Sequence, residues 1–143
     1  MHSPRVRIPS NHRRAVGTTL AILDEMLCRC EQWGRGQELR GVVYREHNQL
    51  TPGQREALLK CVQVLRQDLR TLALDLGLQG KDEDVASAIW SQSSGLWEAV
   101  IELGPKYLRR YGALPEASIP YLDDRIGELT KHLQELTECL GNR

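Results

Sequence analysis

Hydrophobic residues recur along this chain at alternating spacings of three and four, and the clearest run lies between Thr51 and Leu78. Its apolar positions step by 4, 3, 4, 3 and 4 residues: Leu58, Val62, Leu65, Leu69, Leu72 and Leu76. On an α-helix this spacing places all of these side chains along one face. The sequence therefore predicts an amphipathic helix whose apolar face packs against another part of the protein.

The ends of this helix are also written in the sequence. Thr51 can cap the N-terminus, Pro52 suits the first helical position, and Gln54 can complete a capping box. At the other end, Gly77 can adopt the left-handed conformation that ends a helix, with Leu78 folding back onto the last turn. We therefore expect the helix to lie between Thr51 and Gly77.

The same periodicity predicts three more helices. The first covers about residues 11–33, and the third follows the acidic residues 82–84 and contains Pro105, which should kink it or end its first segment. The last begins near Ser118 and has an apolar seam formed by Leu122, Ile126, Leu129, Leu133, Leu136 and Leu140. Because most connections are short, the pattern predicts an all-α fold, an antiparallel up-and-down four-helix bundle.

Residues 34–50 interrupt this pattern between the first and second helices. Gly34 and Gly36 disfavour a helix, and the short stretch at residues 41–44 fits either an extended segment or one helical turn from Glu38 to Tyr44. The sequence leaves that choice open, so we predict an irregular segment. The predicted organisation is an extended basic arm over residues 1–10 and a single helical-bundle domain over residues 11–143.

Composition and charge narrow the classes of function. Lysine plus arginine and aspartate plus glutamate number 19 each, so the net charge is zero and gives no electrostatic reason to expect a nucleic-acid partner. The basic residues Arg5, Arg7, Arg13 and Arg14 fit a solvated tail, and nucleic-acid binding through them ranks third among the possible functions. No apolar run approaches the roughly 20 residues that span a bilayer. We therefore predict a cytoplasmic protein with no membrane partner.

The sequence contains few motifs of catalytic, metal-binding or phosphate-binding sites. The chain has no Cys-x-x-Cys pair, no Glu-x-x-His motif and no complete glycine-rich phosphate loop, so we predict no catalytic residue, no metal and no cofactor. A polar cluster of Arg45, Glu46 and His47 precedes the second helix. Together with His132, it is the candidate site for an alternative function, a bundle enzyme or a small-ligand or metal sensor.

One pair of residues on the last helix resembles a known motif. Six residues separate Arg125 from His132, a spacing similar to the Arg–His motif of the all-α HEPN ribonucleases. The resemblance covers these two residues, and it implies cleavage of RNA at a dimer interface with Arg125 and His132 in the catalytic roles. The position directly after the arginine, where those proteins often carry a polar residue, is Ile126 here.

An aromatic row on the third helix supports a different function. Trp90 and Trp97 lie seven residues apart, which is two helical turns, and Ile101 extends the row. If the seam of this helix faces the bundle, the row remains for another chain, and aromatic residues are enriched in interface cores. We therefore predict a non-enzymatic interaction or assembly module that forms a homodimer or binds another helical protein, through this row or through the seam of the last helix.

Overall fold

The computed structural model describes residues 4–140 of the chain, and over that range the protein is all-helical. The all-α prediction is confirmed. Five α-helices are present in the described part rather than the predicted four: α1 (Ser10–Gly34), α2 (Pro52–Leu76), α3 (Val85–Ile101), α4 (Pro105–Leu108) and α5 (Ser118–Glu138). A 3-10 helix, Arg109–Tyr111, follows α4.

The extra helix arises at Pro105. Helix α3 ends at Ile101, and α4 starts at Pro105, which occupies a first-turn position where its missing N–H is not needed. The prediction that Pro105 ends the first segment is confirmed. Gly112 then terminates the 3-10 helix with a φ of 136°, a conformation that residues with a side chain rarely adopt.

Helix α2 has the two ends that its sequence predicts. Thr51 Oγ1 accepts a hydrogen bond from the backbone N–H of Gln54 at 3.1 Å, and the Gln54 side chain accepts one from the backbone N–H of Thr51 at 2.9 Å. This is a complete capping box. Gly77 has a φ of 64°, and the N–H of Leu78 donates to the carbonyl of Ala73 at 2.9 Å, as in a Schellman motif.

Contacts group the residues into two compact units, Met1–Lys81 and Asp82–Arg143. In the first unit α1 packs against α2, and in the second α3 packs against α5, which α4 also contacts. Each unit is therefore built on one pair of long helices, and each helix of a pair has one long neighbour to cover its apolar stripe.

The core of the first unit is centred on Leu27 of α1 and Val62 of α2, which are 1% and 2% exposed. Gly34 at the end of α1 lies against Leu59 near the start of α2, so close that a Cβ on Gly34 would be 2.8 Å from Leu59 Cδ2. Because the end of α1 meets the beginning of α2, the two helices run antiparallel.

The described part of the N-terminal arm lies along the far end of α2. The backbone N–H of Val6 donates to the carbonyl of Asp75 at 2.8 Å, and Pro4 packs against Gly77. Pro4 and Val6 thus anchor the arm by contacts, while Arg5 and Arg7 are exposed to solvent. Residues 1–3 of the predicted arm lie outside the described residues.

The second unit covers part of the predicted seam of α5. Leu129 and Leu136 are 50% and 44% exposed, so their placement in the packing seam is wrong. The partly buried residues between Ser118 and Leu140 include the other four predicted seam residues, Leu122, Ile126, Leu133 and Leu140, together with Ser118, Ile119, Thr130 and Thr137. The apolar stripe of α5 is wider than the surface that α3 covers, and the small Ser93 is the buried residue of α3 at 5% exposure.

Candidate functional site

The segment between α1 and α2 forms a tight hairpin. The backbone N–H of Gly41 donates to the carbonyl of Tyr44 at 2.7 Å, and the N–H of Glu46 donates to the carbonyl of Leu39 at 2.9 Å. An isolated antiparallel bridge joins Arg40 and Arg45 between these bonds. The choice left open by the sequence is therefore resolved in favour of extended backbone on both sides of a turn.

Glu46 braces the base of this hairpin. Its carboxylate accepts hydrogen bonds from Trp33 Nε1 at 3.0 Å, from the backbone N–H of Leu39 at 2.8 Å and from the Tyr44 hydroxyl at 3.1 Å. The Trp33 bond, followed by the Leu39 bond, lowers the pKa of Glu46, while the bond to this carboxylate raises the pKa of Tyr44. The carboxylate of Glu46 is thus engaged in holding the loop.

Glu38 and Asn48 form a second brace beside the first. The Glu38 carboxylate accepts from the backbone N–H of Asn48 at 2.7 Å and from the Arg40 guanidinium. The Asn48 side-chain amide donates to the carbonyls of Trp33 at 2.8 Å and Gln37 at 2.9 Å. The hydrogen bond from the backbone N–H of Asn48, followed by the one from Arg40, lowers the pKa of Glu38. These bonds tie the hairpin to the end of α1.

The braced hairpin presents two valines to solvent. Val42 is 91% exposed and Val43 is 97% exposed, and we call this pair the valine tip. Tyr44 next to it is 62% exposed. Sequence reasoning missed the tip as a candidate site, although its signal was present: a glycine followed by two β-branched residues and an aromatic, between two arginines.

The four residues of the predicted polar site belong to different units: Arg45, Glu46 and His47 to the first, and His132 to the second. Arg45 and His47 are exposed on the loop, and Glu46 is used by the internal bonds above. His132 belongs to the second unit, where its Nε2 lies 3.9 Å from the Glu128 carboxylate on the exposed side of α5. A depression of about 290 Å³ beside the loop is lined by Gln32, Trp33, Gln37, Glu38, Leu39 and Glu46.

Arg125 and His132, the pair that resembles the ribonuclease motif, are both exposed on α5. The Arg125 guanidinium lies 5.8 Å from the centre of the Tyr121 ring. Arg125 and Tyr121 line an open depression of about 390 Å³ together with Asp124 and Glu128. His132 is not part of this lining. The structure thus places Arg125 in a shallow surface feature without bringing His132 into it.

The predicted aromatic row lies beside the packing face of α3. Trp90 is 50% exposed and Trp97 is 36% exposed, while Ile101 is partly buried. Two further apolar residues of the helix, Val85 and Leu96, are 70% and 57% exposed. Glu98 is the one charged residue in the 17 residues of α3, so this helix is apolar well beyond the face that α5 covers.

The described residues show neither a metal cluster nor a membrane-spanning helix. No group of three histidine, cysteine, aspartate or glutamate side chains between residues 4 and 140 is arranged to hold a metal ion. None of the helices described is both long enough and apolar enough to cross a membrane. Comparison of the chain with known protein families, with curated proteins and with solved structures gave no match.

Proposed function

We propose that the protein is a non-enzymatic assembly module that self-associates through α3. The observation that carries this proposal is the composition and exposure of that helix. It contains a single charged residue, packs against α5, and still exposes Trp90 and Trp97, which lie two turns apart on one side of the helix. Monomeric proteins seldom leave large apolar side chains grouped on one surface, and such groups are characteristic of interaction sites.

The chemistry of the exposed residues favours a protein partner of the same kind. Tryptophans often supply most of the binding energy of an interface, because they bury a large rigid surface. Burial of apolar surface contributes about 25 cal/mol per Å², although area alone does not set the affinity. With a net charge of zero, two copies of the chain carry no overall repulsion that would oppose their association.

A second copy of α3 is the occupant we propose for this surface. In a twofold-symmetric dimer each copy presents the same apolar patch, so one helix supplies both sides of the interface. The arrangement of the four long helices of one chain as an up-and-down bundle stays a prediction, as does a cytoplasmic location.

Truncation of the tryptophans tests the proposal. We expect the protein to be a dimer by sedimentation velocity and native mass spectrometry, and the double variant Trp90→Ala/Trp97→Ala to dissociate. Removing one interface tryptophan commonly weakens binding by about 2 kcal/mol, or roughly thirtyfold in Kd. Circular dichroism checks that the variant keeps its helical content.

Tyr111→Ala is the matched control, because Tyr111 is an aromatic residue of the same unit that lies outside α3 and is 83% exposed. This variant should remain a dimer. A parent protein that is monomeric at tens of micromolar would overturn self-association. A dimer that survives the tryptophan truncations would overturn the assignment of the interface to α3.

The alternative function, a ligand or metal sensor or a bundle enzyme, has no observation of its own in its favour. The residues proposed for it are divided between the two units, and the carboxylate of Glu46 is engaged by Trp33 and Leu39. Native mass spectrometry of protein purified without chelator addresses it in the same experiment. A bound small molecule or metal on a monomer would favour this alternative over the assembly module.

A further inference from the structure

The valine tip is a convex apolar feature on a stiff support. Val42 and Val43 project from a turn closed by the bond from Gly41 to Tyr44, and the Glu46 carboxylate holds the base of the hairpin. Because the loop is already ordered by these bonds, an encounter that buries the tip does not have to order the backbone first. The tip is therefore prepared for insertion into an apolar medium.

The positive charge beside the tip comes from Arg45. Arg40 and Arg45 are the bridged residues on the two sides of the turn, and both are exposed. The Arg40 guanidinium is paired with the Glu38 carboxylate, and the Glu46 carboxylate bonds the backbone of Leu39. The Arg45 guanidinium next to the valines therefore favours an anionic partner.

Neither of the two depressions described above suits the valine tip. Both are lined mainly by polar or charged side chains, which are poor surroundings for a pair of valines. A convex tip needs surroundings that close over it from several sides, and the boundary between lipid headgroups and acyl chains can do so without a preformed pocket.

We propose that the valine tip inserts into the surface of a bilayer that contains anionic phospholipid. Val42 and Val43 enter the boundary of the acyl chains, Tyr44 lies at the level of the headgroups, and Arg45 contacts a lipid phosphate. Aromatic rings with a polar end favour that depth, and basic side chains are attracted by the negative surface of a membrane. A contact of this size is shallow and reversible, and it differs from a span of the bilayer.

Vesicle co-sedimentation of the full chain tests this proposal. The probes are vesicles of phosphatidylcholine alone and vesicles in which about a third of the lipid is phosphatidylserine, a proportion chosen to give a strongly negative surface. We expect binding to the mixed vesicles that weakens as salt is raised, since salt screens Arg45 from the headgroups. Binding to neither kind of vesicle at low salt would overturn the proposal and leave a protein pocket as the receptor for the tip.

Three variants distinguish insertion of the tip from non-specific binding to vesicles. Val42→Asp/Val43→Asp should weaken vesicle binding by about tenfold or more, because charge replaces the inserted apolar groups. Val64→Asp, at a 63% exposed valine on α2, is the matched control and should bind like the parent. Arg45→Glu should weaken binding to the mixed vesicles by about fivefold or more. Equal binding by the tip variant and the parent would overturn the assignment.

The test is independent of self-association through α3. The tip residues are not part of α3. A tip variant that loses vesicle binding should therefore keep the oligomeric state of the parent. If Trp90→Ala/Trp97→Ala is a monomer, its vesicle binding should fall only by the loss of a second tip on the same particle. Complete loss of vesicle binding in this variant, with the tip intact, would contradict insertion by the tip.

Discussion

The two units differ in how their paired helices are held. In the first, directional polar contacts accompany the apolar core: Arg66 of α2 bonds Glu31 of α1, and the loop between the helices is braced by Glu46 and Asn48. In the second, α3 contributes one charged residue in its whole length, and its buried residue is the small Ser93. Large apolar residues remain exposed in both pairs, for example Val64 and Leu74 in the first and Leu96 in the second.

This difference bears on what each unit can do. Hydrogen bonds and ion pairs have fixed partners, so they favour one arrangement of α1, the loop and α2. Apolar attraction is not directional, and it rewards any partner that removes surface from water. The first unit therefore has the features of a rigid support for the valine tip, whereas the second carries the exposed tryptophans from which we infer assembly.

The largest effect that would sharpen this comparison is expected at the core of the first unit. Leu27→Ala should lower the free energy of unfolding of that unit by about 3 kcal/mol, because it leaves a cavity at a residue that is 1% exposed. Leu129→Ala in the second unit is the control, since this leucine is 50% exposed and its loss should change stability by less than about 1 kcal/mol. Hydrogen exchange resolved along the chain measures both units in one sample.

If Leu129→Ala proved as costly as Leu27→Ala, the exposed surface of α5 would have to be buried in solution. The same substitution would then be expected to alter the oligomeric state, which sedimentation measures. Equal and small effects of both substitutions would instead contradict the core assigned to the first unit.

A smaller effect is expected at the loop brace. Asn48→Ala removes two bonds from the side-chain amide to backbone carbonyls, and we expect it to destabilise the first unit by about 2 kcal/mol. Gln49→Ala is the matched control at the next position, where the side chain is exposed, and it should be close to neutral. Faster amide exchange over residues 35–50 in the first variant alone would locate the effect in the hairpin.

The smallest expected effect is a dependence of the first unit's stability on acid. Three glutamates of this unit have pKa values below the ordinary value of 4.5 because their carboxylates accept hydrogen bonds. Glu31 accepts from Arg66, Glu38 accepts from the backbone N–H of Asn48, and Glu46 accepts from Trp33. Their stabilising contribution is complete above pH 4.5 and is lost as the pH falls through the lowered values. The melting temperature of the first unit should therefore fall below that pH.

Glu46→Gln should flatten this acid dependence, because the amide cannot be protonated in the same range. Hydrogen exchange at pH 3 and pH 6, corrected for its intrinsic rate, follows the two units separately. An acid dependence that is the same in parent and variant would show that Glu46 does not contribute to it.

Several features of the fold could be read from local chemistry. The capping box at Thr51, the left-handed Gly77 and the break at Pro105 each depend on residues within a few positions of one another. Trp90 and Trp97 could likewise be assigned to one side of a helix by their spacing. In contrast, nothing local shows that Glu46 accepts a bond from Trp33, which lies 13 residues away.

The sequence by itself determined that the protein is all-helical, together with the helix ends at Thr51, Gly77 and Pro105, because caps, prolines and apolar periodicity act over a turn or two. The tertiary structure decided which residues of a broad stripe are covered. On α5, Leu129 and Thr130 are adjacent, and the structure partly buries the threonine and exposes the leucine. Heptad spacing is compatible with either arrangement, since the choice depends on the shape of the helix across the contact, and a side chain as small as Ser93 is part of that shape.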